Sequence, residues 1–144
     1  MICGLEANRP RGGSTALCTV IHHGQIYTGN MGDSRAVVFQ EESFGCLNNL
    51  HDFSNEKERK AVEQRGGTLF NNRLEGELAL SRSIGDINFK AHMSNEPEVS
   101  EYEIKAEDRY LVLGSDGFWN VSSNLLILKS KHFLIGIEPR TMFA

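Results

Sequence analysis

Apolar residues along the chain come in short bursts separated by polar, glycine-containing corners, and the first three bursts predict strands at residues 15–21, 25–29 and 36–40. His23-Gly24 turns the first into the second, so the reading is an antiparallel meander. Residues 41–51 are too weakly patterned to predict more than a connector. Residues 55–64 carry the clearest helical signature, with Asn55 as N-cap and Glu58 three residues later forming a capping box. Glu56 lies near the positive end of the helix dipole, and Arg59, Lys60 and Arg65 lie toward the negative end. Gly66-Gly67 ends the helix. Ala61 and Val62 are its few apolar members, so its charges are expected to form a solvated face. Residues 68–70 and 78–80 predict two more short strands, with Asn71-Asn72 and Glu75-Gly76 as turn material. After a loop over 88–96 and Pro97, residues 98–104 alternate, with Val99, Tyr102 and Ile104 apolar, and predict an edge strand. Residues 121–137 are expected to be helical, capped by Ser122 or Ser123. Residues 1–12 have no periodicity and read as an irregular lead-in.

The run at 110–113 is continuous and apolar and predicts a buried strand that stops at Gly114. Just past its end stands Asp116, then Gly117, which permits a sharp turn, then Phe118 and Trp119, which can fix that turn against a core. A rigid strand delivering an acid to a tight turn suits a hard cation. An acid at that place also serves simply to cap a turn or helix. Asp33 repeats the pattern between the second and third strands. There a salt bridge to Arg35 is the alternative reading.

Composition narrows the classes. The 144 residues fit one domain, and 40% hydrophobic with 24% charged residues is ordinary for a globular protein. A net charge of -4 without a basic cluster argues against a nucleic-acid binder. Cys3, Cys18 and Cys46 form no CxxC pair, so they are expected to be reduced thiols with packing roles. His22, His23, His51, His92 and His132 show no ligand spacing and are expected to be single surface or turn histidines. The first fifteen residues contain Arg9 and Arg11 and no apolar core, so no secretory signal is expected. The bursts at 125–128 and 133–137 are split by Lys129, Lys131 and His132 and are too short to cross a bilayer. These features together predict a chain without a membrane anchor, intracellular, in the cytoplasm or nucleus. They leave the oligomeric state open.

Five stretches together resemble the metal-dependent serine/threonine phosphatases of the PP2C type: GSTA at 13–16, NMGDSR at 30–35, residues 63–67, LALSRSIGD at 78–86 and SDGFW at 115–119. PEV at 97–99 matches in type and place, and the resemblance is strongest over 13–121, within a partial domain at 13–144. It implies an α+β fold in which two antiparallel β-sheets pack as a sandwich flanked by helices, here incomplete, with a metal cluster at one end. It also implies hydrolysis of phosphoserine and phosphothreonine in protein substrates by water activated between two Mg²⁺ or Mn²⁺ ions. Carried over by position, Asp116 corresponds to a metal-binding acid, and Asp33 to an acid associated with a third, weaker metal. Arg82 and Asp86 occupy motif positions that support the site. Ser14 and Thr15 fix the strand on which the cluster rests.

The departures from the family pattern are equally specific. Its DGHGG stretch, with a bridging aspartate, a carbonyl ligand and a general-acid histidine, has no counterpart here. Neither do the upstream acidic pair, the phosphate-holding arginine, or the late aspartate of a DN motif. Asn120 stands where SDGxWD carries an acid. Two expectations result. One is a fragment of an active phosphatase, incomplete as a gene model or splice product and inactive alone. The other, favoured by Asn120, is a non-catalytic module that binds phosphoproteins or another partner.

Overall fold

The structure, a computed structural model, describes residues 12–121. The expected helix over 121–137, Cys3 and His132 lie outside the described residues, as does nearly all of the lead-in at 1–12.

The described chain runs β1 (Gly13–Ser14), β2 (Ala16–His22), β3 (Gln25–Met31), β4 (Arg35–Phe39), β5 (Phe44–Cys46) and α1 (Glu56–Gln64). There follow β6 (Leu69–Phe70), β7 (Arg73–Leu74), β8 (Ile84–Gly85), a single 3₁₀ turn at Ile87–Phe89, β9 (Glu98–Glu103), β10 (Tyr110–Gly114) and α2 (Asp116–Val121). Two antiparallel three-stranded sheets, ordered β2-β3-β9 and β10-β4-β5, make the sandwich. Ile26, Leu17 and Tyr102 from the first sheet, with Ile104 just past β9, meet Ala36, Val38 and Leu111 from the second, with Leu47 alongside. Alternation along β4 sends Ala36 and Val38 into that seam. Val37 and Phe39 face the other way, beneath Trp119 of α2. With both faces covered, β4 is the buried centre, and full burial of a side chain such as Phe39 contributes about 1.5–3 kcal/mol. A third cluster, Phe53, Val62, Leu74 and Met93, seats α1 against the β6–β7 hairpin.

β3, β4, β9 and β10 lie within two residues of their predicted places, and among the described residues β9 is an edge strand, as expected. Three expectations about strands and cysteines need correction. Phe44–Cys46 pairs with β4 where only a connector was expected. Residues 78–80 make isolated bridges only, because β6 pairs instead with Arg73–Leu74 through a tight turn with Asn71 and Asn72 in left-handed conformation. Cys18 and Cys46 are exposed and not packing residues. Among the described residues β2 has a neighbour on one side only, and Val20 and Ile21 on it are exposed. No helix among the described residues is long and apolar enough to cross a membrane.

α1 keeps its predicted N-cap but not its capping box. The Asn55 side-chain oxygen accepts from the Lys57 amide at 3.1 Å, while its amide donates to the Leu50 carbonyl at 3.1 Å. Glu58 does not reach back to the cap. It is buried, and turns inward because it shares with Val62, four residues on, the face that meets the core. Asn55→Ala is expected to cost about 1 kcal/mol, the usual loss for an N-cap, read as a lowered urea midpoint at unchanged m-value.

Candidate metal centre

The register of β4 and β10 brings the two predicted acids to one rim. Gly114, the last residue of β10, pairs with Arg35, the first of β4, and the strands are antiparallel. Asp116, two residues after β10, and Asp33, two before β4, therefore project from the same end of the same sheet. Burial raises the Asp33 carboxyl above its ordinary value, and the negative charge of Asp116 raises it further. Asp116 is exposed as the first residue of α2, and one of its oxygens accepts from the Gly117 amide at 2.7 Å. Trp119 ties that turn to the sheet by donating from Nε1 to the Gly114 carbonyl at 2.8 Å. The alternative salt bridge to Arg35 is absent: no Asp33–Arg35 pair within 4.0 Å occurs among the described residues, and the buried Arg35 Nε has no hydrogen-bond partner there.

The turn carrying Asp33 is clamped from three sides. Gly32 sits at φ +112°, and a Cβ there would lie 2.4 Å from the Thr15 methyl, so only glycine fits between β2 and the turn. Thr15 Oγ1 and Ser34 Oγ share a hydrogen bond of 3.0 Å, which joins the 13–16 and 30–35 motifs. The third side is the segment that read as a connector. Asn30 Nδ2 donates to the carbonyls of Gly32 (3.1 Å) and Asn49 (2.8 Å), and Asn48 Nδ2 donates to the Ser34 carbonyl at 3.0 Å. The His51 amide donates to the Gly32 carbonyl at 3.0 Å, and the Gly32 amide donates to His51 Nδ1 at 3.1 Å.

The remaining predicted residues sit beside this centre. Arg82 is held by both oxygens of Glu58, through Nε at 3.0 Å and Nη2 at 2.5 Å, and its Nη1 donates to the Glu96 carbonyl at 3.0 Å. Ser81 Oγ also donates to Glu58 at 2.5 Å. Arg82 thus fastens α1 to the 78–86 motif. Asp86, at φ +45°, accepts from Ser83 Oγ at 2.6 Å. It lies over Gly13, where any Cβ would collide with it, at the point where β1 pairs with β8. Asn120 is exposed on α2, and no side-chain hydrogen bond to it occurs among the described residues. The charges that act on the Asp33 carboxyl include Asp116, Asp52 and Arg35. His51, expected at the surface, is wholly buried, a correction that follows from its bonds to Gly32 and Glu98. A polar residue hidden by a contact 47 positions away leaves no local signal.

Two carboxylates at one rim, one of them raised by the charge of the other, suit a single hard divalent cation whose shell is completed by water. Among the described residues no group of three or more His, Cys, Asp or Glu side chains converges, so this donor set does not fit a pair of ions.

Comparison with known proteins bears on the same region. The family model described as protein phosphatase 2C matches residues 4–128. A probable protein phosphatase 2C 44 of Oryza sativa subsp. japonica is 38% identical over 119 residues, covering 78% of this chain and 37% of that protein. The protein phosphatase 2C homolog 1 of Saccharomyces cerevisiae is 39% identical over 100 residues, covering 69% of this chain and 36% of that one. Among solved structures, a sex-determining protein of C. elegans superposes with a TM-score of 0.78 at 33% identity, covering 83% of this chain and 31% of that chain. The serine-threonine phosphatase 2C of Toxoplasma gondii gives 0.72 at 24% identity, covering 86% and 48%, and at that identity shows the fold alone. The chain spans about two-fifths of the length of the relatives it matches.

Proposed function

The chain belongs to the protein phosphatase 2C family, and from that premise we propose that it carries part of the metal centre of a protein serine/threonine phosphatase. Asp33 and Asp116 are the proposed ligands to Mg²⁺ or Mn²⁺, and phosphoserine or phosphothreonine in proteins is the proposed substrate. The observation that carries this reading is the convergence of the two acids from adjacent strand ends, with the Asp33 carboxyl raised by burial and by Asp116. A bound ion there supplies positive charge to hold phosphate oxygens and to acidify a water. The chain's own contribution is rigidity. The clamp on residues 32–34 holds Asp33, the Trp119–Gly114 bond holds Asp116, and Arg82 and Asp86 brace the neighbouring loop.

Two carboxylates are enough for one loosely held ion and too few for the two-ion displacement, so the isolated chain is proposed to be inactive. The test is calorimetric titration of the 144-residue chain with Mn²⁺, beside a phosphoserine-peptide assay. One weak site is expected, with affinity falling about tenfold or more in Asp33→Asn and in Asp116→Asn. The reason is that a carboxylate facing a divalent ion contributes several kcal/mol even at an effective dielectric of about 20. Mn²⁺ binding indifferent to both substitutions overturns the assignment of ligands, and Mn²⁺-dependent turnover well above background overturns the proposed inactivity. Asn120 in place of the family's acid favours a second reading, a phosphoprotein-binding module. That reading requires the chain to retain phosphopeptides without hydrolysing them.

A further inference from the structure

His51 clasps both backbone polar groups of Gly32, the residue immediately before Asp33: its amide donates to the Gly32 carbonyl (3.0 Å) and its Nδ1 accepts from the Gly32 amide (3.1 Å). Gly32 is already confined by Thr15 and by its left-handed φ, so this clasp leaves the chain entering Asp33 no slack. Because Nδ1 accepts, it carries a lone pair, and the ring proton sits on Nε2, which donates to Glu98 Oε2 at 3.0 Å. The other Glu98 oxygen accepts from Asn49 Nδ2 at 2.6 Å. Burial pushes the Glu98 carboxyl up, but the hydrogen bonds from His51 and Asn49 outweigh it and hold the group below its ordinary value. The His51 carbonyl accepts from the Ser81 amide at 2.9 Å, so one buried residue joins the 30–35, 78–86 and 97–99 motifs. A ring in this place offers an acceptor on one edge and a donor on the other. No aliphatic or hydroxyl side chain spans both partners.

We propose that His51, oriented by Glu98, is a positioning residue that sets the Asp33 carboxylate for its cation. This rests on the reading of Asp33 as a metal ligand. His51 does not touch the ion. It acts through the Gly32 peptide, as carboxylate–histidine pairs outside a coordination shell generally orient what lies within it.

The experiment compares Mn²⁺ affinity and melting for the full chain and for His51→Ala, His51→Asn, Asp33→Asn and Val62→Ala, together with the ¹⁵N spectrum of the metal-free wild-type imidazole. Expected are the Nε2–H tautomer in the spectrum and Mn²⁺ binding weakened roughly tenfold by His51→Ala, at the lower end of losses for outer-shell partners. His51→Asn, whose side-chain carbonyl takes the place of Nδ1 toward Gly32, restores most of that affinity. Val62→Ala, destabilised in the remote third cluster, binds Mn²⁺ as the wild type does. A proton found on Nδ1 overturns the proposal without any variant having to fold. So does full Mn²⁺ affinity in His51→Ala while Asp33→Asn loses it, or failure of His51→Asn to restore it. Affinity unchanged in Asp33→Asn is the separate failure, that of the metal-ligand reading itself, and it removes the proposal's premise.

Discussion

Glu58→Gln lowers the stability of the protein by about 3 kcal/mol, the lower end of what breaking a buried ion pair costs, because Arg82 keeps one edge toward solvent. The wild-type carboxylate receives Nε and Nη2 of Arg82 and the Ser81 hydroxyl. A neutral amide accepts on one atom only, so the guanidinium is left partly unpaired beside a group that now donates toward it. At roughly 3–5 °C per kcal/mol, between the values for domains under 100 and over 150 residues, the melting temperature drops by about ten degrees. Glu58→Leu with Arg82→Met, which removes both charges, is expected to recover much of the loss. The pH dependence has a definite sign. Burial raises the Glu58 carboxyl, but the Arg82 and Ser81 hydrogen bonds outweigh that and hold it below its ordinary 4.5. Its contribution is therefore fully present above pH 4.5 and is lost as pH falls through the depressed folded value. Glu98 behaves the same way, whereas ionising Asp33, whose carboxyl is raised, costs stability as pH rises. Melting followed from pH 7 down to pH 3 shows a shallower acid-side decline in Glu58→Gln than in the wild type.

The second large effect is Trp119→Ala. Trp119 is 9% exposed, roofs Val37 and Phe39, and meets Phe118 edge-on at 4.9 Å. Truncating an aromatic of this kind costs about 3–5 kcal/mol, a large part of the 5–15 kcal/mol that holds a typical domain together. Because its Nε1 also ties α2 to the Gly114 carbonyl, the loss reaches Asp116, and Mn²⁺ affinity falls together with stability. Trp119→Phe separates the two roles. The ring still covers β4, but the Gly114 carbonyl loses its donor, so destabilisation shrinks to about 1–2 kcal/mol while the weakened Mn²⁺ binding persists. Since Trp119 is the chain's single tryptophan, unfolding of these variants is followed by circular dichroism and not by fluorescence.

Elements whose apolar pattern is local were legible before any coordinates. The 110–113 run, the alternation at 98–104 and the Asn55 cap each carry their signal within a few residues. The resemblance, through its metal cluster at one end of the sandwich, likewise associates residues 33 and 116, because the motifs bracketing them carry the register that periodicity lacks. What escaped notice depends on distant contacts. Phe44–Cys46 is a strand only because β4 offers it a free side, and its three residues show no alternation of their own. Glu58 read as solvated because charge normally means surface, yet its spacing from Val62 already put it on the inward face. The Asn71-Asn72 pair reads as turn material, but the strand it leads into is Arg73–Leu74 and not residues 78–80. A two-residue left-handed turn belongs to the nearest possible hairpin, which starts at Arg73.

Among the described residues β2 is paired on one side only, and an edge of that kind is open to pairing by another polypeptide. The seven residues of β2, ALCTVIH, include no lysine, carboxylate or proline of the kind that deters such pairing. Natural edges are usually guarded by such residues; an edge without them is open to strand addition, which shows as association that rises with protein concentration.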